Sequence, residues 1–453
     1  MTLGDRFDGE LIVPGSAGYD DARVVWNGMI DRRPAVIARC EGVGDVAHAI
    51  RFGRDHDLPI AVRSGGHSIG GFSTCDDGIV VDLSPMHGVE VDPERRVAHV
   101  RGGSLLRELD EAAQAHGLVC PVGVVGHTGV AGLSLGGGMG RLQRHFGFTV
   151  DNILGVDLVT ADGERLHVSD DEHPDLFWGI RGAGPNFGIV TDFEFRLHEL
   201  DPMVTFGSLL FSGERGAEVT EVVRAFLVDA PDEMMVSLGF GHARHEDGPA
   251  LPIGPYVGVG MTYSGSPGGV HEALRPLLEP LRAIGPTDDT VQSRTYLELQ
   301  TMNDEAMAWG KRFYMKGAFL AELSEAFVAA AVRTVEEVPS AGASITLWAH
   351  GGAISRIPED AMAFTGRDAA FWIGVESEWD DPGDDAEHVA WARATMAMLE
   401  PFTAAGHYVN DMVDVEEDLP RRIYGASKYD RLVDLKRRHD PDNVFRLNQN
   451  IRP

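Results

Sequence analysis

Three glycine-rich stretches lie within the first 190 residues: "RSGGHSIGG" from residue 63, "GHTGVAGLSLGGGMG" from 126 and "RGAGPNFGIV" from 181. Glycine at this density lets backbone approach a guest closely, tolerates positive φ and aligns N–H groups into concave anion sites. A single such stretch is an ordinary turn; three together point to a pyrophosphate. Neither common nucleotide fingerprint fits, because Arg141 in "GGGMGR" and Phe187 in "GAGPNF" stand where GxGxxG requires its last glycine. No lysine follows a glycine run as a Walker loop demands. The chain must therefore build an anion cradle of another kind, and in the first stretch His67 is set among Gly65, Gly66, Gly70 and Gly71.

Length and charge narrow the class. At 453 residues, 43% of them apolar, the chain exceeds the size at which one core keeps growing, so two domains are expected. The beginning "MTLGDRFDGELIVPGSAGYDD" has no basic region followed by an apolar run, and no stretch approaches the roughly 20 apolar residues of a membrane span. Three cysteines, Cys40, Cys75 and Cys120, provide neither a disulfide framework nor metal-ligand spacing. A soluble protein of a reducing cytoplasm is expected. The formal net charge is -31, and only Lys311, Lys316, Lys428 and Lys436 among 39 basic residues are lysines. That balance argues against nucleic acid or anionic membrane as partners and suggests a salt-rich cytoplasm, as in a halophile.

Hydrophobic periodicity separates two textures. Short β-branched runs ("PAVIARC", "PIAVRS", "GIVVDL") alternate with a helical pattern over 43–55, followed by hairpins turning at Asp92-Pro93 and Asp162-Gly163 and a helix after Ser104 as its N-cap. From about residue 203 longer strands appear, among them "MVTFGSLLF", "MMVSLGFG", "YVGVGMTYS", "ASITLWAH" and "AAFWIGVESEW". The expected architecture is α+β, with an antiparallel sheet covered by helices on one face in the second domain.

The segments "RSGGHS", Gly126 to Gly140, "WGIRGAGPNFGIVTDFEF" and the ending "YGASKYDRLVDLKRRHDPDNVFRLNQNIRP", in this order along the chain, resemble the FAD-linked oxidases of the vanillyl-alcohol oxidase superfamily. Their berberine-bridge-enzyme-like branch is the best match. The resemblance implies a two-domain PCMH-type FAD-binding fold: an FAD domain over 1–200, a substrate domain over 201–410 and a C-terminal segment, 411–453, returning to the first. It implies that Arg63, Ser64, Gly65, Gly66, His67 and Ser68 cradle FAD, with His67 bonded to the flavin 8-methyl carbon. It further assigns to the cofactor Thr128, Gly129, Gly132, Gly136, Gly137, Asn152, Gly188, Ile189, Val190, Tyr424, Asn448 and Asn450. Doubly linked relatives carry a cysteine where Val125 stands, five residues after Cys120, so attachment through His67 alone is favoured and Cys120 is taken as structural.

The substrate base is sought on the second domain's sheet. Period-two alternation in "FWIGVESEW" puts Trp372, Gly374, Glu376 and Glu378 on one face. Burial of the central Glu376 would raise its pKa into a catalytic range, the alternative being a salt-bridged strand glutamate. In "KRFYMKGAF", Arg312, Tyr314 and Lys316 share a face that could join Glu376 or receive an anionic substrate. "LWAH" adds Trp348, read as core, and His350. Tyr424, matched to a flavin-contacting position, is the second acid/base candidate. The expected catalytic set is thus Glu376, Tyr424, Lys316 and Tyr314. The expected activity is oxidation of a small alcohol, sugar, amine or secondary metabolite, with O2 accepting the electrons to give H2O2. A flavin dehydrogenase with another acceptor and a non-catalytic flavin carrier remain alternatives.

Overall fold

The computed structural model describes residues 7–243, 253–414 and 416–453. In the first domain, Val36–Arg39 and Ile60–Arg63 flank Ile79–Asp82 in parallel, and Glu10–Ile12 adds an antiparallel edge. Every residue of Ile79–Asp82 is buried, as expected for a central strand covered on both faces. The helix Val43–Asp55 lays Val46, Ala49 and Ile50 onto this sheet. A second, five-stranded antiparallel sheet runs in the order 89–92, 97–101, 189–196, 153–159, 165–169, containing both expected hairpins. Ser104 is not the N-cap of the following helix. That helix is Leu106–Gln114, its start is held by the Glu108 carboxylate accepting from the Leu105 N–H at 2.7 Å, and Ser104 Oγ instead joins Gly88.

The second domain is a nine-stranded antiparallel sheet whose central order is Met203–Ser212, Gly254–Tyr263, Met234–Ala243, Ala343–Ala349, Phe371–Trp379, Arg312–Leu320. Residues such as Phe240, Val259, Leu347, Ile373 and Val375 form one face, packed under helices Gly216–Leu227, Val270–Ile284, Glu325–Thr334 and Asp385–Leu399. Each such buried aliphatic or aromatic side chain contributes roughly 1.5–3 kcal/mol. The other face, bearing Phe313, Met315, Phe319 and Trp372, merges with the first domain's core.

The two domains interleave. Helix Leu419–His439, broken at Gly425 (φ +73°), returns to the first domain. Its buried Lys436 donates to the Asn186 carbonyl at 2.8 Å, to Asp440 at 2.7 Å and to the Phe445 carbonyl at 2.8 Å, stitching the end of the chain to the third glycine stretch. Residues 303–310 likewise cross over: Trp26 Nε1 donates to the Met307 carbonyl at 2.7 Å and the Gly126 N–H to Asp304 at 2.6 Å. Fully buried Arg367, from the substrate domain, pairs with Asp151 of the first.

Candidate active site

A cavity of about 640 Å³ separates the glycine loops from the inner face of the large sheet, within the range usual for small-molecule sites. Its floor is made of the turns at 64–69, 123–136 and 185–190; Phe313, Met315, Thr346, Trp348, Trp372 and Glu376 form its roof, and 408–412 with Tyr424 and Asn448 close it. Glycine is required here for two reasons. Gly65 and Gly129 press backbone to backbone, so that a Cβ on Gly65 would lie 2.2 Å from the Gly129 nitrogen. Gly66 adopts φ +69°, which aims the loop's next residue, His67, into the cavity.

The His67 imidazole is sandwiched by protein on several sides. The Trp26 ring stacks on it at 5.0 Å and Trp309 meets it edge-on at 6.1 Å. Its Nε2 lies 2.7 Å from Nδ1 of His127, and its Nδ1 lies 3.5 Å from the Thr128 hydroxyl. Burial, with a smaller contribution from His127, pushes the His67 pKa down to about 3. The ring is therefore neutral at any working pH, the state in which an imidazole nitrogen is a nucleophile.

Across the cavity sits an acidic pair. Glu376 lines the roof, and burial, reinforced by Glu378, raises its carboxyl to about 7. Its partial exposure is to the cavity. Asp411, 6% exposed, accepts a 2.6 Å hydrogen bond from Trp372 Nε1. Burial lifts its pKa far above the usual carboxylate range, opposed by the Trp372 hydrogen bond and raised further by the Glu376 charge. Burial thus favours the neutral form of Asp411, beside a Glu376 poised near neutral pH to gain or lose a proton.

Of the expected cofactor residues, Ser64 to Ser68, Thr128, Gly129, Gly132, Gly136, Gly188, Ile189, Val190, Tyr424 and Asn448 converge on the cavity. Others lie behind it. Arg63 is ion-paired with Asp82 at 2.8 Å, Gly137 packs against Phe364 and Tyr408, and the Asn152 amide holds the Phe146 and Phe148 carbonyls. Asn450 is also absent from the walls. Among the catalytic candidates, Glu376 and Tyr424 line the cavity and Lys316 and Tyr314 do not. Lys316 and Tyr314 point to the opposite, helix-covered side of their strand, both bonded to Asp414, while the alternate residues Phe313 and Met315 face the cavity. Arg312 pairs with Asp385 on that same side. Tyr424 lines the wall, but its hydroxyl donates to the Gly182 carbonyl at 3.1 Å and burial drives its pKa up, the wrong direction for a base. Trp348, expected in the core, lines the cavity. His127 and Asp411 were not singled out from the sequence. His127 lies within the second glycine stretch, which marks the site, whereas no local pattern announces Asp411.

The cavity fits FAD. Ser64 Oγ and Asn448 Oδ1, both on its walls, are buried without a partner among the described residues, a situation costing about 1–3 kcal/mol per group unless a ligand completes it. A Cβ on Gly132 would meet nothing within 4 Å. Cys120 is fully buried, 3.9 Å from the Pro121 carbonyl, its thiol pKa raised by burial; Val125, not Cys120, lines the cavity.

Comparison with known proteins agrees with this cavity. Residues 34–169 match the FAD binding domain family and residues 407–452 the berberine and berberine-like family. The chain is 33% identical to (R)-6-hydroxynicotine oxidase of Paenarthrobacter nicotinovorans, over 98% of its own length and 97% of the relative's. It is 30% identical to an FAD-linked oxidoreductase of Bacillus subtilis, over 99% and 98%. The crystal structure of 6-hydroxy-D-nicotine oxidase from Arthrobacter nicotinovorans superposes with a TM-score of 0.87 at 31% identity, covering 100% and 99% of the two chains. Xylooligosaccharide oxidase from Myceliophthora thermophila shares the fold, with a TM-score of 0.86 at 23% identity over 98% and 97%. The protein belongs to the FAD-linked oxidases with a berberine-like C-terminal segment. The expected PCMH-type α+β fold and FAD-dependent oxidase function are borne out.

Proposed function

We propose that this enzyme holds FAD covalently through His67 alone and oxidises a small organic alcohol, sugar, amine or secondary metabolite at the carbon presented to Glu376. When bound, FAD supplies the hydride acceptor and passes the electron pair to O2, giving H2O2. The chain's own residues do the remainder. Glu376, as carboxylate, removes the substrate proton that accompanies hydride loss; Asp411, held by Trp372 and pushed towards its neutral form by burial, disfavours a second negative charge in the pocket. Trp348 and Trp372 exclude water and position the substrate's apolar surface. His127, in contact with His67 Nε2, fixes which ring nitrogen is free to bond.

The observation that carries this reading is one cavity bearing a neutral histidine on one wall and a carboxyl near 7 on another. Val125 at the cavity edge, with no cysteine there, supports a single bond. Acid precipitation of the purified protein should leave a yellow pellet whose flavin maps to the His67 peptide. Colour in the supernatant excludes the covalent bond, and slow reoxidation of the reduced enzyme by O2 in stopped flow excludes the oxidase. An alcohol, sugar and amine panel that fails throughout to bleach the flavin counts for a carrier. The net charge of -31 supports a salt-rich cytoplasm as working medium. Among the described residues no helix is long and apolar enough to cross a membrane.

A further inference from the structure

The register of the large sheet draws a path away from Glu376. Ser208, Gly260, Ser237, Trp348 and Trp372 are successive cross-strand partners and so share the inner face. The adjacent row reads Gly258, Gly239, Thr346, Gly374 and Gly317. A Cβ on Gly239 would meet nothing within 4 Å, whereas Leu210 crowds Gly258, Trp372 and Glu376 cover Gly374 and Asp411 covers Gly317, so the row is open at Gly239 and closed towards its ends. Beyond Trp348, which lines both spaces, a second cavity of about 210 Å³ opens, walled by Ser237, Thr262, Met302 and Arg141.

Among the described residues Arg141 has no counter-ion there. Its Nη1 is buried without a partner, and no hydrogen bond or ion pair reaches it from the described residues. The neighbouring acids are engaged elsewhere: Asp110 by Tyr296 and Gln300 at 3.2 and 3.1 Å, Asp304 by the Gly126 N–H at 2.6 Å. They act on Arg141 only through space, and burial lowers its pKa to about 10, leaving it a cation at neutral pH. In a chain with 70 acidic and 39 basic residues, a half-buried arginine whose Nη1 is buried and unmatched among the described residues is an exception that an anionic guest would repay.

We propose that Arg141 anchors a carboxylate of the substrate, the molecule passing Trp348 with its oxidised carbon beside Glu376 in the first cavity and its acid end in the second. This rests on the oxidase reading above. The planar fork of a guanidinium matches a carboxylate through two parallel hydrogen bonds, and Ser237 and Thr262 add hydroxyl donors. A small cavity with a single cation suits a carboxylate monoanion over a phosphate dianion. With strands about 4.8 Å apart, the second cavity begins roughly 10 Å across the sheet from the strand of Glu376. The substrate is therefore an elongated monocarboxylate whose middle, passing Trp348 and Trp372, is apolar or aromatic.

The test uses flavin-loaded enzyme titrated with ω-phenylalkanoates, from phenylacetate to 6-phenylhexanoate, and with the corresponding primary amides, binding being read as a shift in flavin absorbance. At the matching chain length the acid should bind about tenfold more tightly than its amide, as a charged hydrogen-bonded pair permits. Arg141→Gln should abolish that preference while leaving the amide's Kd within about twofold, and Arg141→Lys should keep part of it. The inference is overturned if no acid outbinds its amide in the wild-type enzyme, or if the preference survives Arg141→Gln. Protein that carries no flavin would sink the oxidase reading instead, whereas coloured protein without acid preference sinks only this subsite.

Discussion

Replacing Glu376 by Gln should make the enzyme slower and, at alkaline pH, more stable. Burial lifts this carboxyl from an ordinary 4.5 to about 7, so ionising it in place costs on the order of 3 kcal/mol at 1.36 kcal/mol per pH unit. The folded state holds the proton to higher pH than the unfolded chain does. Stability from this group is therefore fully present below about 4.5, declines as pH rises, and is lost above about 7. Gln carries no charge and escapes that loss. Removal of a general base should slow anaerobic flavin reduction roughly 10²- to 10⁴-fold. Wild-type kcat/KM should rise about tenfold per pH unit below 7 and level off above it, and Glu376→Gln should flatten that limb. Thermal unfolding followed by flavin fluorescence should give matching Tm values at pH 5 and a higher one for Glu376→Gln at pH 8. Equal Tm values at both pH values would refute the buried-charge argument. A wild-type rate in Glu376→Gln, with activity lost in Asp411→Asn, would transfer the base to Asp411.

Further outcomes test other parts of the structure. His67→Ala should release all flavin to the supernatant on acid precipitation, and a yellow pellet would place the bond elsewhere. Arg367→Met leaves Asp151 charged and buried at 3% side-chain exposure, so urea denaturation should show a loss of about 3–5 kcal/mol; a loss under 1 kcal/mol would mean that water already shares this pair. Gly65→Ala drives a Cβ to 2.2 Å from the Gly129 backbone and should yield protein with little bound flavin, scored by the ratio of flavin to protein absorbance. Activity and solubility should hold or rise as KCl increases to molar levels, because salt screens a net charge of -31; a steady decline contradicts the halophile reading.

Which features could be read from the chain follows from the range of the forces that set them. The hairpins at 89–101 and 153–169, the helix over 43–55 and the alternation of 371–379 are written in local periods of two and 3.6 residues, and all stand in the structure. Period two, however, assigns residues to faces without saying which face looks inward. In Arg312–Leu320 the polar set was taken as the active one; docking of helix Asp385–Leu399 and of Asp414 against that side captures Arg312, Tyr314 and Lys316, and leaves Phe313 and Met315 for the site. Charge attracted notice, but the partners that neutralise it lie between 73 and 100 residues away in sequence.

From its own letters the chain established an anion cradle of glycine stretches, a histidine within it, a two-textured α+β build and an acidic, lysine-poor surface, since these depend on backbone freedom, side-chain type and net charge. Tertiary structure decided the rest. It alone buried Glu376 and Asp411 in one pocket, set His127 against His67, and left Arg141 unmatched beyond Trp348. A pKa and an unpaired charge are properties of surroundings assembled from distant segments, and only packing brings those segments together.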